Sequence, residues 1–167
     1  MQVYLNLGSN VEVREHYLSE ALKHIHSLPS SKIMGISRLY ETPAVELEED
    51  NPKPFLNMCV ALRTSLRFPE LLKKLQEIEE ELGRNPKDRG KARSRPIDID
   101  IVSAEHRIVE KPELKVPHPR LTDRSFFLWP LLEICPNACD PKTGLPLRHF
   151  LLSAYPPIAR ILPALKL

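Results

Sequence analysis

Two aspartates alternate with isoleucines in residues 97–102, which have the sequence Ile-Asp-Ile-Asp-Ile-Val. Such alternation is typical of a β-strand, whose side chains point to the two faces of a sheet in turn. Asp98 and Asp100 then lie on one face, with Cα atoms roughly 6.5–7 Å apart. Carboxylates at that spacing suit one or two Mg²⁺ ions, which also bind substrate phosphates. The alternative is an exposed sheet face on which both acids are merely solvated.

Positive charge is concentrated just before these aspartates. Residues 84–95 contain six arginines and lysines and a single acid, Asp88, a net +5 in a chain whose formal charge is +2. This segment is either a solvated loop or a clamp for a polyanion such as a phosphate chain. Cations followed by paired carboxylates favour phosphoryl transfer, which uses both. Neither a Walker-type Gly-x4-Gly-Lys-Ser/Thr loop nor a kinase-type Gly-x-Gly-x-x-Gly loop occurs in the sequence.

Length and composition predict one folded domain that spans residues 1–167. The chain is 42% hydrophobic and 28% charged, which excludes intrinsic disorder. It has no basic leader and no run of about 18 apolar residues, so we expect a cytoplasmic protein without a membrane partner. The three cysteines, Cys59, Cys135 and Cys139, lack zinc-site spacing and are predicted to be reduced thiols in or near the core.

Hydrophobic periodicity predicts an alternation of strands and helices that can position these residues. The predicted helices span residues 14–28, 69–82 and 124–135, the last interrupted by Pro130, and the predicted strands span residues 2–7, 32–41, 55–64 and 97–102. This order predicts an α+β fold, a ferredoxin-like split βαβ sandwich with extra C-terminal elements. One face of such a sheet is free of helices and can carry a site.

The helix predicted over residues 69–82 carries Gln76 and Glu79 at the edge of its apolar stripe. An ordinary amphipathic boundary explains this position, and a role in a site is the alternative.

The chain resembles the 6-hydroxymethyl-7,8-dihydropterin pyrophosphokinase family of folate biosynthesis over roughly residues 3 to 135. Several motifs in the family's order and spacing carry the resemblance, which is more specific than any one of them. They are Leu7-Gly8-Ser9-Asn10, Tyr40-Glu41-Thr42-Pro43, Phe55-Leu56-Asn57, the helix with Gln76 and Glu79 that leads into Gly83-Arg84, Arg95-Pro96-Ile97-Asp98-Ile99-Asp100-Ile101, Val116-Pro117-His118-Pro119-Arg120-Leu121 and Arg124-Ser125-Phe126.

The resemblance implies transfer of pyrophosphate from ATP to the hydroxymethyl group of the pterin, with release of AMP. It implies that Asp98 and Asp100 hold two Mg²⁺ ions and that Arg84 and Arg95 act with them in catalysis. The residues that it places around ATP are Gln76, Glu79, Lys91, Arg95, Ile101, His118 and Arg124. The residues that it places around the pterin are Thr42, Pro43, Val45, Phe55, Asn57 and Phe126, with Phe55 and Phe126 stacking on the ring.

The sequence departs from the family pattern within the basic segment. Residues 92–95 are Ala-Arg-Ser-Arg where the family commonly has a tryptophan-containing run, and the only tryptophan is Trp129. Closure of this segment over a bound pterin therefore depends on arginine stacking or charge rather than on an indole.

Two other function classes remain open at this point. The same topology serves RNA-binding modules, but an RNP1-like run is absent and an acidic pair would repel a nucleic-acid backbone, so no nucleic-acid partner is expected. A ligand-sensing domain that has lost turnover is the other alternative. The sequence does not decide between a free-standing enzyme and one fused to, or associated with, other folate-pathway enzymes.

Overall fold

Strands supply most of the framework in the computed structural model, which describes residues 1–167. The helices are α1 (Arg14–His26), α2 (Phe68–Glu81) and α3 (Ser125–Ile134). The strands are β1 (Gln2–Ser9), β2 (Ser31–Ile36), β3 (Leu39–Thr42), β4 (Phe55–Thr64), β5 (Asp98–Ala104), β6 (Val109–Lys111), β7 (Leu114–Val116) and β8 (Arg160–Leu162).

The main sheet has the order β5-β1-β4-β3-β8, with β2 also paired to β4. All of its strand pairs are antiparallel, and β6 and β7 form a separate hairpin. The strand β4 has β1 on one edge and both β2 and β3 on the other, as a split βαβ arrangement requires. The predicted α+β, ferredoxin-like fold is confirmed, and β8 is one of the additional C-terminal elements.

The single strand predicted over residues 32–41 is wrong, because the structure has two strands there. The interruption lies at Ser37, whose N–H donates to the Cys59 carbonyl and whose hydroxyl oxygen accepts from the Cys59 N–H, both at 2.9 Å. A side-chain oxygen thus replaces a backbone acceptor in the ladder, and both β2 and β3 continue to pair with β4. Periodicity does not report such a substitution.

The helix predictions are close, apart from the expected break in the last one. Helix α2 has Pro69 in its first turn and Gly83 beyond its end, and the backbone N–H of Arg67 donates to the Glu70 carboxylate at 3.0 Å. Helix α3 continues through Pro130, so the predicted interruption is wrong. Its Phe127, Leu128 and Leu131 are buried, and this packing outweighs the loss of one backbone donor.

Two apolar layers cover the sheet, and one of them is incomplete. Helices α1 and α2 pack over one whole face, which we call the helix side. On the opposite face, α3 and the C-terminal residues cover Tyr4, Cys59 and Val102 at one end only. The other end of this face stays open. Cys59 is buried as predicted, whereas Cys139 is exposed, so its predicted place in or near the core is wrong.

None of the three helices is both long enough and apolar enough to cross a lipid bilayer.

Gly83 allows the chain to turn from α2 into the basic segment, and its substitution gives a test of that turn. Its φ is +96°, and a Cβ would meet only Pro96, at 4.0 Å. We expect Gly83→Ala to lower the free energy of unfolding by about 1 kcal/mol through backbone strain alone. Urea denaturation measures this change, and unchanged stability would show that residue 83 does not need the left-handed conformation.

Candidate active site

The site begins with the register of three adjacent strands. Gly8 of β1 pairs with Asn57 of β4 on one side and with Asp98 of β5 on the other. Two residues earlier, Asn6 pairs with Asp100. Because residues two apart on a strand share a face, these polar side chains are gathered on the open face of the sheet. The predicted sharing of one face by the two aspartates is therefore present.

Residue 8 of this face has no room for a side chain, which explains the glycine there. A Cβ at residue 8 would lie 2.7 Å from Oδ1 of Asn57, closer than such atoms approach each other. The same Oδ1 accepts a hydrogen bond from Nδ2 of Asn6 at 3.1 Å, and both asparagines are buried. Gly8 therefore leaves room for the Asn57 amide oxygen to accept from Asn6, and the amide N–H groups of Asn57 are left for another partner.

The open end of the face is the floor of a cleft, whose empty volume of about 500 Å³ includes the open solvent at its mouth. Its lining contains ten residues that the sequence singled out, Thr42, Pro43, Val45, Phe55, Asn57, Arg95, Asp98, Asp100, Arg124 and Phe126, together with Asn6, Gly8, Ala44, Glu46 and Leu47.

Asp98 is held by two arginines of the basic segment. Its Oδ1 accepts from Nη1 of Arg84 at 2.5 Å, and its Oδ2 accepts from Nε of Arg95 at 2.7 Å. Burial acts to raise the pKa of Asp98, but the two guanidinium groups outweigh it and hold the pKa below its usual value. Asp98 therefore remains ionised at neutral pH.

Beneath Asp98, Glu79 of α2 is the counter-ion that holds Arg84 in place. Its Oε1 accepts from Arg84 at 2.5 Å and from the backbone N–H of Ile99 at 2.8 Å, and only 3% of the residue is exposed. Burial raises the pKa of Glu79, although the charge of Arg84 opposes the rise. Glu79 thus binds β5 and the basic segment to α2, and an ordinary amphipathic boundary does not explain its position.

Asp100 differs from Asp98 in having no cationic side chain within ion-pair distance. Burial, followed by the charges of Asp98 and Glu79, raises its pKa to about 8. At neutral pH, Asp98 is therefore ionised while Asp100, at the floor of the cleft, mostly keeps its proton. A divalent cation between the two aspartates would replace this proton and offset their repulsion, so the donor set fits Mg²⁺. No group of three or more His, Cys, Asp or Glu side chains converges on one point, so phosphate or water oxygens would complete the coordination.

The two aromatic residues of the cleft are each covered by an arginine. The guanidinium carbon of Arg95 lies 5.1 Å from the centre of the Phe55 ring, and that of Arg124 lies 5.4 Å from the Phe126 ring. These distances are within the range of cation–π contacts. Arg124 also donates to the Glu46 carboxylate at 2.6 Å. Both arginines thus contact an aromatic ring and a carboxylate at the same time.

The acidic segment before β4 contacts the basic segment, which the sequence did not indicate. The Glu48 N–H donates to the Ala92 carbonyl at 3.0 Å, and the Glu49 carboxylate accepts from the Ser94 N–H at 2.6 Å. Opposite charge along the two segments was visible in the sequence, but their distance apart in the chain hid the contact. Asn6 was also missed, although a polar residue between two leucines of a predicted strand marks it.

The remaining predicted residues lie outside the lining of the cleft. Arg84 and Glu79 are directly beneath it. Lys91 pairs with Asp88 at 2.9 Å and is half exposed, while Ile101 is buried on the helix side. The main-chain carbonyl of Gln76 accepts from Arg89, and His118 packs edge to face on Phe127, with ring centres 4.8 Å apart. The structure therefore gathers the predicted pterin residues more closely than the predicted ATP residues.

His118 is neutral in the native state, which gives the protein a measurable response to acid. Burial, with the charge of Arg124 as the next cause, lowers the pKa of His118 to about 4, although Asp98 opposes this. Its Nδ1 accepts from the Arg120 N–H at 3.0 Å, and protonation would remove this acceptor. A histidine in the unfolded chain binds its proton near pH 6.5. Between pH 6.5 and about 4, the unfolded chain therefore binds a proton that the folded chain does not, and acid favours unfolding.

We therefore expect the free energy of unfolding to fall between pH 6.5 and about 4, with His118 contributing a loss of about 3 kcal/mol that levels off at lower pH. Urea denaturation at several pH values, compared with a His118→Gln variant, measures this contribution. The variant should lose less stability than the parent protein over the same range. Parallel pH curves for the two proteins would contradict a lowered pKa.

Comparisons with known proteins identify the family to which the chain is similar. Residues 4–136 match the family model described as 7,8-dihydro-6-hydroxymethylpterin-pyrophosphokinase (HPPK). A 2-amino-4-hydroxy-6-hydroxymethyldihydropteridine pyrophosphokinase of Aquifex aeolicus is 43% identical over 148 residues, which are 89% of each chain. The protein of the same name from Bacillus subtilis is 42% identical over 132 residues, which are 79% of this chain and 77% of the relative.

Longer proteins also contain a similar region. The folic acid synthesis protein fol1 of Pneumocystis carinii is 38% identical over 149 residues, which are 89% of this chain but 19% of fol1. A crystal structure of Plasmodium falciparum HPPK-DHPS superposes with a TM-score of 0.67 at 16% identity and covers 90% of this chain and 45% of that chain. At this identity, the match to the crystal structure supports the fold alone. On the family match and the two shorter relatives, the chain belongs to the 7,8-dihydro-6-hydroxymethylpterin-pyrophosphokinase family.

Proposed function

We propose that this pterin pyrophosphokinase depends on Mg²⁺, that Asp98 and Asp100 hold two Mg²⁺ ions with ATP, and that residues 1–167 act as one cytoplasmic domain. The observation that supports the metal assignment is the carboxyl group of Asp100, which has no ion-pair partner and lies beside Asp98 at the floor of the cleft that also carries Phe55 and Phe126. When bound, the ions would neutralise the triphosphate and polarise the phosphorus that is attacked.

The arginines of the basic segment act on the phosphate chain in this proposal. Arg84 and Arg95 both hold Asp98, and each can shift its guanidinium group from the carboxylate to a phosphate oxygen without leaving the site. Glu79 remains as the partner that keeps Arg84 in place during such a shift. The chain needs no glycine-rich phosphate loop, because side chains supply the positive charge that such a loop obtains from backbone N–H groups.

The pterin occupies the space between the two aromatic rings. Phe55 and Phe126 stack on its faces, each such contact contributing about 0.5–1.5 kcal/mol beyond simple burial. Asn57 keeps amide N–H groups for the polar edge of the ring, because its Oδ1 is already bound to Asn6. Thr42, Pro43 and Val45 line the same space, and in this proposal their backbone groups bind that edge. An unmatched buried amide is costly, so this edge selects the substrate.

In this proposal ATP binds next to the pterin, at the side of the cleft where β5 meets the basic segment. Gln76, Lys91, Ile101 and His118 belong to this part of the proposal by their match to the family, and Arg124 connects it to the cleft. His118 is neutral at physiological pH, so it offers a hydrogen bond rather than a charge.

The arginine-covered rings support an ordered reaction in which ATP binds first. Arg95 and Arg124 lie over the faces that the pterin needs. A triphosphate attracts both guanidinium groups more strongly than an aromatic ring does, since charged hydrogen bonds exceed cation–π contacts. Their movement to the nucleotide uncovers Phe55 and Phe126. The pterin then enters, and its hydroxymethyl oxygen is aligned with the phosphate chain.

Alignment and charge are sufficient for the chemical step in this arrangement. No cleft side chain is placed as a general base, since the two aspartates are assigned to the metal and His118 is outside the lining. Holding the two reactants together and neutralising the phosphate charge lower the barrier without one. The proposal is compatible with a free-standing enzyme, and fusion to other folate-pathway enzymes is seen in relatives such as fol1.

The direct test incubates the protein with ATP, Mg²⁺ and 6-hydroxymethyl-7,8-dihydropterin and follows AMP by chromatography. We expect AMP and the pterin diphosphate in equal amounts. Binding of both ligands without AMP would instead identify a sensing domain that has lost turnover, and salt-sensitive RNA binding without AMP would identify an RNA-binding module.

Removal of either metal-binding carboxylate tests the metal assignment. We expect Asp98→Asn and Asp100→Asn each to lower kcat/KM about 100-fold or more, because the phosphate charge is then poorly neutralised. The same AMP assay, with a magnesium titration, measures the effect. The matched control is Glu105→Gln, an exposed acid just beyond β5, which should keep normal activity. Near-normal rates for both aspartate variants at saturating Mg²⁺ would refute the assignment.

A further inference from the structure

Arg14, the first residue of α1, bridges the two ends of the segment that forms one wall of the cleft. This segment comprises residues 43–54 and connects β3 to β4. At one end, Nη2 of Arg14 lies 2.7 Å from Oε2 of Glu41. At the other end, Nη1 of Arg14 donates to the Pro54 carbonyl at 2.9 Å. We call these two contacts together the Arg14–Glu41 clamp.

The Arg14–Glu41 clamp lies behind the cleft, on the helix side of the sheet. Glu41 pairs with Leu56, which is fully buried in the core beneath α1 and α2. The next pair along the two strands is Thr42 with Phe55, and both of these residues line the cleft. A one-residue step along a strand reverses the face of the sheet. The clamp is therefore directly behind two residues of the pterin pocket without touching that pocket.

The clamp is built to hold its geometry. The side chains of Arg14 and Glu41 are only 15% and 13% exposed, so water screens their attraction weakly. Burial acts to raise the pKa of Glu41, but hydrogen bonds from Arg14 and Arg160 outweigh it and lower the pKa, so the carboxylate is charged at neutral pH. Arg14 uses separate nitrogens for its two contacts, which fixes the direction of the guanidinium plane.

We propose that the Arg14–Glu41 clamp is a positioning device for the pterin, which holds both ends of residues 43–54 in place and so fixes the wall of the cleft that Pro43 and Val45 form beside Phe55. This inference rests on the proposed function, because it names what that pocket depends on. Neither Arg14 nor Glu41 lines the cleft, so both act through the strand ends that they join. The clamp also lowers the conformational entropy of residues 43–54, because it holds both ends of the segment.

A purely structural ion pair would have the same contacts, but different consequences. Loss of a structural pair lowers stability and affects both substrates alike. Loss of a positioning device weakens pterin binding more than ATP binding, because residues 43–47 line the pterin pocket directly, whereas the segment reaches the basic segment through Glu48 and Glu49. The ratio between the two KM values therefore separates the two roles.

The experiment compares Arg14→Met and Glu41→Gln with a matched control, Arg160→Met. Arg160 contacts the same Oε2 of Glu41, at 3.2 Å, but does not contact Pro54. In the AMP assay, we expect Arg14→Met and Glu41→Gln to raise KM for the pterin about tenfold and KM for ATP less than twofold. The double variant should be no worse than the more severe single variant, and Arg160→Met should resemble the parent protein.

A second readout does not depend on turnover. Amide hydrogen exchange across residues 43–54 should become faster in Arg14→Met and stay unchanged in Arg160→Met. An unchanged pterin KM, equal changes in both KM values, or unaltered exchange in Arg14→Met would overturn the clamp. If the parent protein forms no AMP, the proposed function fails, and the exchange measurement alone then decides whether Arg14 holds this segment.

Discussion

The electrostatic constraint on which the site depends is the presence of three acids, Asp98, Asp100 and Glu79, in a poorly solvated corner of the sheet. Like charges in such a place repel each other unless cations lie between them. Arg84, Arg89 and Arg95 pair with Glu79 and Asp98 and leave Asp100 without a partner. The fold therefore leaves one carboxyl group, that of Asp100, without an ion-pair partner at the floor of its cleft, and burial and the neighbouring acids favour its protonated form. In the proposed chemistry, a metal ion replaces that proton.

Much of the fold serves to keep these charges in register. Antiparallel pairing of β1 with both β4 and β5 aligns Gly8 with Asn57 and Asp98. Helix α2 brings Glu79 under β5, and the turn at Gly83 directs Arg84 back toward the same point. The apolar layer on the helix side makes this arrangement rigid, since core side chains are packed to near-crystalline density. The open end of the other face gives substrates access to it.

The sequence predicted the parts whose cause is local. Alternation placed Asp98 and Asp100 on one face, and helical spacing located α2 almost to the residue. Interactions between distant segments were not predictable in this way. The hydroxyl of Ser37 divides one expected strand into two, and the contacts of Glu46 with Arg124 depend on how two remote loops meet. Packing also kept α3 intact across Pro130, where propensity alone favours a break.

The guanidinium groups over Phe55 and Phe126 affect how small molecules should be sought for this cleft. A neutral flat heterocycle must displace two cations that already have good partners, and it offers them nothing in return. A flat heterocycle that carries an acidic group can form new ion pairs with the displaced arginines close to their original positions. Screening collections directed at the ligand-free protein should therefore be enriched in planar acids, whereas neutral mimics of the pterin should be tested with nucleotide present.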